Sequence, residues 1–487
     1  MEYYAKSKKV QFTSERINEI KKNMKNIEEC LKENLTETDI EILNSSITDI
    51  AEKTEEKQKT LKEHHKDIVT CAEMFFLEYG EYFTEKEKKL VVEACRIHDL
   101  GKVNLVFQAM ICPKLAEKFH IDVRKTQQIP HGFLSAVTIS LDEFDDLSEL
   151  FSDKDFGPFI TAVYYHHDRE DHYNSPAIRK YAEKYYMKQI EEYLNRKIRK
   201  LNCSNLDDLL FRNNVYTGKY IPDSNAWKEY LLIKGLLNKF DYTVSAGYEN
   251  AESAIDLHEK KLVKNIEKFL NGKELRPAQK FMKMNRDKNL IVIAPTGSGK
   301  TEASLLWMNG EKSFYTLPLK VSSNAIYLRI KENYEYKDVA LLHSDAMAVY
   351  LREYNGNEDI GEKYERSKML SQPLTVCTVD QLFRFVYRAL GTEIFAATLK
   401  YSKLVLDEIQ AYEPRVIATI IYGLKMIQEM GGKFAIITAT FPPVLKYFME
   451  QYGLVEGKQY IFKDFTGKEY QVEKYPRHKV EIRHSEM

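Results

Sequence analysis

The sequence has few of the features that would assign it to a secreted, membrane-bound or strongly basic class of protein. Its six cysteines are scattered and form no C-x-x-C pair, which argues against a disulfide framework and favours a reducing, intracellular setting. The opening MEYYAKSKKV contains no apolar stretch typical of a secretory signal, and no apolar run approaches membrane-spanning length. The formal net charge is −1, so bulk charge does not indicate nucleic-acid binding. We therefore expect a soluble, cytoplasmic protein.

The 487 residues are enough for several domains with separate cores. They fall into two regions with different patterns of apolar residues. Before about residue 250, stretches such as KYAEKYYMKQIEEYLNRKIRKL repeat apolar residues at helical spacing. From Glu274 onward, short apolar runs such as NLIVIAP, SFYTLPL, LTVCTVD, KLVLDE and KFAIITAT alternate with helix-like segments, which is typical of a buried parallel sheet. This predicts a multidomain protein: an all-α domain at 1–255, a connecting helix or linker at 256–273, and an α/β parallel-sheet domain at 274–487. We interpret the charge-rich residues 187–220 as an insertion without assignable chemistry.

Histidine is unevenly distributed, because eight of the twelve histidines lie between His64 and His172. A single histidine on a helix is more often structural than a ligand, and His98-Asp99 before Gly101 could be an ordinary helix end. Several such segments in one all-α region favour a metal site, however, and imidazole with carboxylate suits iron, nickel, cobalt, manganese or zinc. A carboxylate bridging two ions would make a two-metal centre suited to a phosphodiester. The candidate ligands are His64, His98, Asp99, His131, His166, His167 and Asp241.

The segment NLIVIAPTGSGKTEAS combines an apolar strand, a glycine-bearing loop and the start of a helix. The N–H groups of such a loop bind phosphates, Lys300 would reach the β- and γ-phosphates of ATP, and Thr301 would hold magnesium. Ala294 replaces the first glycine of the P-loop pattern, which is the usual form in superfamily 2 helicases. The predicted ATP-binding residues of this segment are Thr296, Gly297, Ser298, Gly299, Lys300 and Thr301.

A pair of carboxylates follows about a hundred residues later, at the end of the predicted strand KLVLDE. Asp407 suits the magnesium shell, and Glu408 can orient or deprotonate the attacking water. A kinase or a GTPase fits less well, because neither explains the order of DEIQ followed by TAT.

The order of the histidines and carboxylates resembles the HD nuclease domain of the CRISPR-associated helicase-nuclease of type I systems. This resemblance implies two divalent transition-metal ions bridged by Asp99. The first ion would be held by His64, His98, Asp99 and Asp241. The second would be held by Asp99, His131, His166 and His167.

The resemblance also assigns roles to residues beside these ligands. Lys102 in HDLGK would lie near the scissile phosphate, where an ammonium group steadies developing negative charge. His65, His120 and His172 match no ligand position, and we interpret them as surface or packing residues.

The second half is similar to the first RecA-like domain of superfamily 2 DExD/H helicases. Arg276 and Gln279 in LRPAQKF form a Q-motif-like arrangement, which would bind adenine. Other segments resemble motifs that couple ATP hydrolysis to movement and contact backbone phosphates of the DNA strand without reading its sequence. The residues of these motifs are Thr378, Asp380, Gln381, Thr438, Ala439 and Thr440.

The resemblance implies an enzyme that is a metal-dependent DNA endo/exonuclease and an ATP-dependent helicase. Its substrate would be single-stranded DNA that a crRNA-guided type I surveillance complex supplies. The family's second RecA-like domain and C-terminal domain are not found in these residues, so we expect weak ATP hydrolysis by this chain alone, and a separate polypeptide could supply the second RecA-like domain. Two other classes stay open: an HD phosphohydrolase acting on small nucleotides with a regulatory P-loop module, and a non-catalytic partner-binding fragment.

Overall fold

The computed structural model describes residues 3–5, 59–139, 153–167, 175–198, 201, 210, 224–253, 260–353 and 360–470. The chain divides into two compact units, with the described residues up to Ala251 in the first and those from Glu252 onward mainly in the second. Most of the predicted insertion beyond residue 198, part of the predicted linker and the last 17 residues, 471–487, lie outside the described ranges. Within those ranges, none of the helices combines the length and the apolar character that a membrane crossing requires.

The first unit is built from helices, and its only described pairing of extended backbone is a single bridge between Tyr4 and Thr60. Two of the helices begin with a capping box, in which Thr60 pairs with Glu63 and Thr84 pairs with Glu87. The helices are α1 Leu61–Tyr79, α2 Glu85–Ile97, α3 Leu105–Ile111, α4 Pro113–Lys118, α5 His131–Thr138, α6 Asp153–Tyr164, α7 Ser175–Tyr185, α8 Met187–Leu194 and α9 Ser224–Ser245.

The long helix α9 is central to the packing of this unit. It contacts α1, α2 and α6, and α6 in turn contacts α5. The apolar faces follow the predicted helical spacing, with Leu61, Ile68 and Ala72 of α1 fully buried. Because the helices that contain or directly precede the candidate ligands pack on one another in this way, residues far apart in the chain reach the same region of the unit.

The second unit contains a seven-stranded sheet in the order β3-β4-β2-β5-β6-β1-β7, and every described strand pair is parallel. The strands are β1 Leu290–Ile293, β2 Ser313–Leu317, β3 Val339–Leu342, β4 Leu374–Thr378, β5 Lys403–Asp407, β6 Lys433–Thr438 and β7 Ile461–Asp464. The helices are α10 Lys261–Leu270, α11 Pro277–Met284, α12 Lys300–Met308, α13 Lys320–Glu332, α14 Ala346–Glu353, α15 Ile360–Lys368, α16 Val379–Leu382, α17 Glu393–Lys400, α18 Pro414–Met430 and α19 Pro443–Gln451.

The predicted fold class, an all-α region followed by an α/β parallel sheet, is confirmed. The five apolar runs that predicted strands correspond to β1, β2, β4, β5 and β6. The sequence did not indicate β7, because this strand lies at the sheet edge and its four residues are only partly buried or exposed. Helix α10 falls within the predicted linker at 256–273. Its Leu262, Val263 and Ile266 are buried in the core beside the sheet, so this helix packs as part of the second unit.

Candidate functional site

Asp99 lies in a tight turn between two helices of the first unit. Helix α2 ends at Ile97, His98 caps it, and a 3₁₀ turn follows at Leu100–Val103. Gly101 was expected to end this helix, but it lies inside the 3₁₀ turn instead. Its physical role is a close approach: a Cβ at Gly101 would lie 2.0 Å from the carbonyl oxygen of His131. The turn that carries Asp99 is thereby pressed against the start of α5.

The two carboxylate oxygens of Asp99 face two different groups of histidines. Oδ2 is 3.4 Å from His64 Nε2 and 3.4 Å from His98 Nε2. Oδ1 is 3.2 Å from His131 Nε2 and 3.6 Å from His166 Nε2. This arrangement is compatible with the bridging position that the family resemblance implies for Asp99, which stays a prediction.

The two groups of side chains meet the spacing required of metal ligands. Asp99, His131, His166 and His167 have ligand atoms within 4.8 Å of one another, and so do His64, His98 and Asp99. Asp241 on α9 adjoins the group of His64, His98 and Asp99, since its Oδ1 is 3.1 Å from His64 Nε2. All seven predicted ligands are therefore brought together, although their role in binding ions stays a prediction.

Hydrogen bonds behind the histidines decide which ring nitrogens face the carboxylate. His166 Nδ1 lies 2.7 Å from the carbonyl oxygen of Val163, and His98 Nδ1 lies 3.0 Å from that of Cys95. Because a carbonyl oxygen only accepts, Nδ1 carries the proton and donates it, and burial lowers the pKa of His166, which keeps its ring neutral. The Nε2 lone pair of His166 thus points at the lone pairs of Asp99.

A bound cation would resolve this conflict of lone pairs. Among the described residues, several buried atoms that face one another have no hydrogen-bond partner: Nε2 of His64, His98, His131 and His166, and Oδ1 of Asp99. Buried polar atoms in native proteins are nearly always satisfied, and bound ions satisfy such groups. The donor set of imidazoles and carboxylates therefore fits divalent transition-metal ions.

The charges of His131, Asp99 and Asp241 agree with this assignment, whereas His64 differs: burial lowers its pKa, but Asp241 and Asp99 raise it overall. Burial lowers the pKa of His131 to about 3, so the imidazole is neutral and can act as a ligand. Burial alone would raise the pKa of Asp99, but His98 and Lys102 hold it well below its usual value, so the carboxylate is ionised. Burial opposes ionisation of Asp241 as well, yet the contact with His64 and nearby positive groups lower its pKa.

Two further residues lie beside the cluster. His65 packs against it, as one of the two roles expected for this residue, because its ring centroid lies 5.9 Å from that of His98 and its Nδ1 lies 3.1 Å from the Tyr193 hydroxyl. Ser245 donates to Asp241 Oδ1 at 3.1 Å, one helical turn away. Of the other two histidines between His64 and His172 that match no ligand position, His120 is exposed and His172 lies outside the described residues.

The second unit brings its predicted nucleotide residues to the carboxyl edge of the sheet, where ligands of open α/β folds bind. The loop between β1 and α12 has two left-handed glycines, Gly297 at φ 78° and Gly299 at φ 84°. Arg276 donates to the Gly297 carbonyl, and Gln279 Nε2 donates to that of Gly299 at 3.3 Å. Arg276 and Gln279 thus contact the phosphate loop, while their predicted contact with adenine stays a prediction.

A chain of polar contacts links the loop to β5 and β6. Lys300 forms an ion pair with Glu408. Burial alone would raise the pKa of Glu408, but the contact with Lys300 lowers it overall. Gln410 donates to Glu408 and accepts from the hydroxyl of Thr438. The sequence did not indicate Gln410, although it lies within the quoted DEIQ segment. Thr438 also accepts from the N–H of Thr440 at 3.3 Å.

The remaining predicted motif residues are more peripheral. Thr378 ends β4, and Gln381 donates to Asp380 at 2.6 Å in the turn that follows. Asp380, Thr296 and Thr440 are exposed, and Ser298 and Ala439 are half-buried. No described hydrogen bond joins Thr378, Asp380 or Gln381 to the chain of contacts between Lys300 and Thr438.

The two units together define a class of protein in which a helical HD-type domain is joined to a P-loop helicase domain. Comparison with protein families agrees with both halves: the model of the Cas3 HD domain matches residues 51–224, and that of DEAD/DEAH box helicases matches residues 277–448. The CRISPR-associated nuclease/helicase Cas3 of Methanothermobacter thermautotrophicus is 25% identical over 464 residues, which cover 82% of this chain and 54% of the relative. The chain is therefore a homologue of Cas3, with its HD domain and its DEAD/DEAH-box helicase domain.

Further relatives and solved structures are consistent with this assignment. The CRISPR-associated endonuclease/helicase Cas3 of Escherichia coli is 25% identical over 190 residues, 34% of this chain and 21% of the relative. The crystal structure of T. fusca Cas3-ADP has a TM-score of 0.57 at 18% identity and covers 81% of this chain and 50% of that one, which establishes similarity of fold. The chain spans about half the length of the relative from M. thermautotrophicus and of the T. fusca structure.

Proposed function

We propose that this chain is a metal-dependent nuclease that cuts single-stranded DNA, joined to an ATP- and magnesium-binding helicase domain. The observation that carries the proposal is the position of Asp99, whose two oxygens face separate histidine groups. A carboxylate in this position suits two ions, and two-metal centres are typical of phosphodiester hydrolysis.

The residues of the first unit would have different roles in DNA cleavage. Divalent transition-metal ions held by the seven ligands would neutralise the phosphodiester oxygens and lower the pKa of an attacking water. Asp99 would set the spacing of the two ion positions, and the ammonium of Lys102, 2.6 Å from Asp99 Oδ2, would stabilise charge on the phosphate. His64 and His98 are fully buried, whereas His131 is 9% exposed and His167 is half-buried. The DNA strand would therefore reach the cluster from the side of His131 and His167.

The residues of the second unit would bind ATP at the carboxyl edge of the sheet. Lys300 would exchange its ion pair with Glu408 for the β- and γ-phosphates, which frees Glu408 to orient the attacking water. Thr301 and Asp407 would hold magnesium. Gln410 would transmit the position of Glu408 to Thr438, since it contacts both side chains.

The proposed partner complex and DNA source are supported by the names of the related proteins and not by the geometry of the site. The relatives named above are called CRISPR-associated nuclease/helicases, which supports a role in degrading foreign DNA during CRISPR interference. We propose that a crRNA-guided type I complex supplies the strand, so that base pairing reads the sequence and this chain acts on DNA of any sequence. A separate polypeptide with a second RecA-like domain stays a predicted partner.

The decisive experiment compares substrates on one preparation. Metal-stripped protein is reloaded with manganese, cobalt, nickel, iron or zinc and offered circular single-stranded DNA, duplex DNA or deoxynucleoside triphosphates. We expect cleavage of the single-stranded circle, without ATP, only after reloading, and no cleavage by Asp99→Ala. Release of phosphate from the nucleotides with intact DNA would instead support a small-nucleotide phosphohydrolase. Failure to retain any metal would support a non-catalytic fragment.

A further inference from the structure

A buried tyrosine of the second unit contacts the carboxylate that is the proposed magnesium ligand. Tyr315 lies in the middle of β2, which pairs with β5, and its side chain is fully buried. Its hydroxyl donates a hydrogen bond of 2.7 Å to Oδ2 of Asp407, at the end of β5. The run SFYTLPL predicts only a buried strand, so the sequence does not distinguish this tyrosine from its apolar neighbours.

The second oxygen of Asp407 is left without a protein partner. Oδ1 is buried and has no hydrogen bond within the described part of the chain, whereas Oδ2 is held by Tyr315. A buried carboxylate oxygen without a partner is costly, and a cation or its water shell is the kind of group that satisfies it. A phenylalanine at position 315 would fill the same space, so packing alone does not explain the hydroxyl.

We propose that Tyr315 is a positioning residue for the magnesium–nucleotide site: its hydroxyl fixes the rotamer of Asp407, with Oδ2 engaged and Oδ1 presented to the cation. This inference rests on the proposed function, because it takes the site to bind ATP with magnesium. Tyr315 acts through Asp407 and does not touch the nucleotide.

The test measures nucleotide binding and not turnover. ATP affinity of the full 487-residue chain is measured with magnesium and with EDTA, and the ratio of the two affinities is the magnesium-dependent gain. Tyr315→Phe should reduce this gain about tenfold, as expected for a lost hydrogen bond to a charged group, and leave the affinity in EDTA unchanged. Tyr401→Phe is the matched control, since Tyr401 is a buried tyrosine of the same unit that donates to the Glu252 carboxylate at 2.6 Å.

A second comparison separates positioning from general damage. In an Asp407→Ala background, Tyr315→Phe should cause no further loss of the magnesium-dependent gain, because the carboxylate it orients is gone. If Tyr315→Phe is insoluble, Tyr315→Met carries the same expectation, and thermal unfolding shows whether each variant is folded. A magnesium-dependent gain equal to that of the parent, or a loss equal to that of Tyr401→Phe, overturns the proposal.

The result for the unsubstituted chain distinguishes failure of the proposed ATP site from failure of the proposed role of Tyr315. If it binds ATP more tightly with magnesium and Tyr315→Phe behaves identically, only the role of Tyr315 is wrong. If it binds no ATP in either condition, the proposed ATP site fails, and the role of Tyr315 fails with it.

Discussion

The ammonium of Lys102 lies 2.6 Å from Oδ2 of Asp99, the same oxygen that faces His64 and His98. The 3₁₀ turn produces this contact, because residues three apart in such a turn project to the same side. Both side chains are almost fully buried, so solvent does not screen the pair as it screens surface ion pairs. Lys102 is thus held beside the candidate metal ligands without being one of them.

Replacing Lys102 should separate catalysis from metal binding. We expect Lys102→Met to retain its ions, since it removes a positive group and no ligand, but to cut DNA about 10²-fold more slowly. Metal content and the rate on single-stranded DNA are measured together. Lys125→Met is the control, because Lys125 forms an exposed surface pair with Asp122. Loss of metal in Lys102→Met would mean that the lysine mainly supports the fold of the cluster.

Replacing the cluster carboxylate should have a larger effect than replacing one histidine. Asp99→Ala should lower the metal content at both positions, because its oxygens face both histidine groups, while His98→Ala should weaken one position. Elemental analysis and DNA cleavage of the purified variants test this expectation. His120→Ala serves as the control since His120 is exposed; the contact between His65 and His98 makes His65 unsuitable for that purpose. Equal metal loss in Asp99→Ala and His98→Ala would contradict a bridging carboxylate.

A methyl group at Gly101 should disturb the cluster indirectly. The new Cβ would lie 2.0 Å from the His131 carbonyl, so the turn and α5 must separate. Overpacking of this kind costs about 1–3 kcal/mol, and we expect Gly101→Ala to lower both the unfolding temperature and the metal affinity. Gly80→Ala is the matched control, because its Cβ would meet only the flexible end of Lys88 at 3.2 Å. Identical metal affinity in the two variants would show that the close approach does not position His131.

The stability of the metal-stripped protein should fall in mild acid. Burial lowers the pKa of His131 and of His65 to about 3, below the value near 6.5 of an unfolded histidine. Between these values the unfolded chain takes up protons that the folded chain does not, so stability falls as the pH decreases below about 6.5. His64 acts in the opposite direction: burial lowers its pKa, but Asp241 and Asp99 raise it overall, so it partly offsets the loss.

Thermal unfolding at fixed ionic strength, from about pH 7.5 to about pH 5.5, measures this dependence. The variant His131→Gln removes one of the histidines whose pKa is lowered and should show a smaller decrease. An unfolding temperature that is constant across the range, or an equal decrease in the variant, would show that His131 does not enter the folded state as a neutral ring.

Two variants of the nucleotide site should differ in binding. Lys300→Ala removes a contact with ground-state phosphates and should weaken ATP affinity about tenfold to a hundredfold. Glu408→Gln should leave binding nearly intact, because the glutamate acts on the attacking water, and removing its charge also releases Lys300 from the ion pair. Fluorescent-nucleotide titration provides the measurement. Equal loss of affinity in both variants would indicate that Glu408 has a structural role.

The sequence by itself was sufficient for features that depend on neighbouring residues. The phosphate loop is contiguous with β1 and α12, so one segment contains the strand, the glycines and the lysine that define it. Five of the strands follow from apolar runs, since strands buried on both faces leave a continuous apolar signature. The seven candidate ligands could be named because their order resembles that of a known family, although spacing alone left a structural explanation open for each histidine.

Only the tertiary structure decided how these side chains are oriented toward one another. The separate histidine groups at the two oxygens of Asp99 depend on the packing of α9 on α1, α2 and α6, of α6 on α5, and of α5 on the turn, and no local pattern encodes that packing. The role of Gly101, the relay through Gln410 and the hydrogen bond from Tyr315 to Asp407 are likewise contacts between distant segments. Local propensity and periodicity determine which elements form. The direction of a hydrogen bond or of a lone pair is determined only when those elements pack.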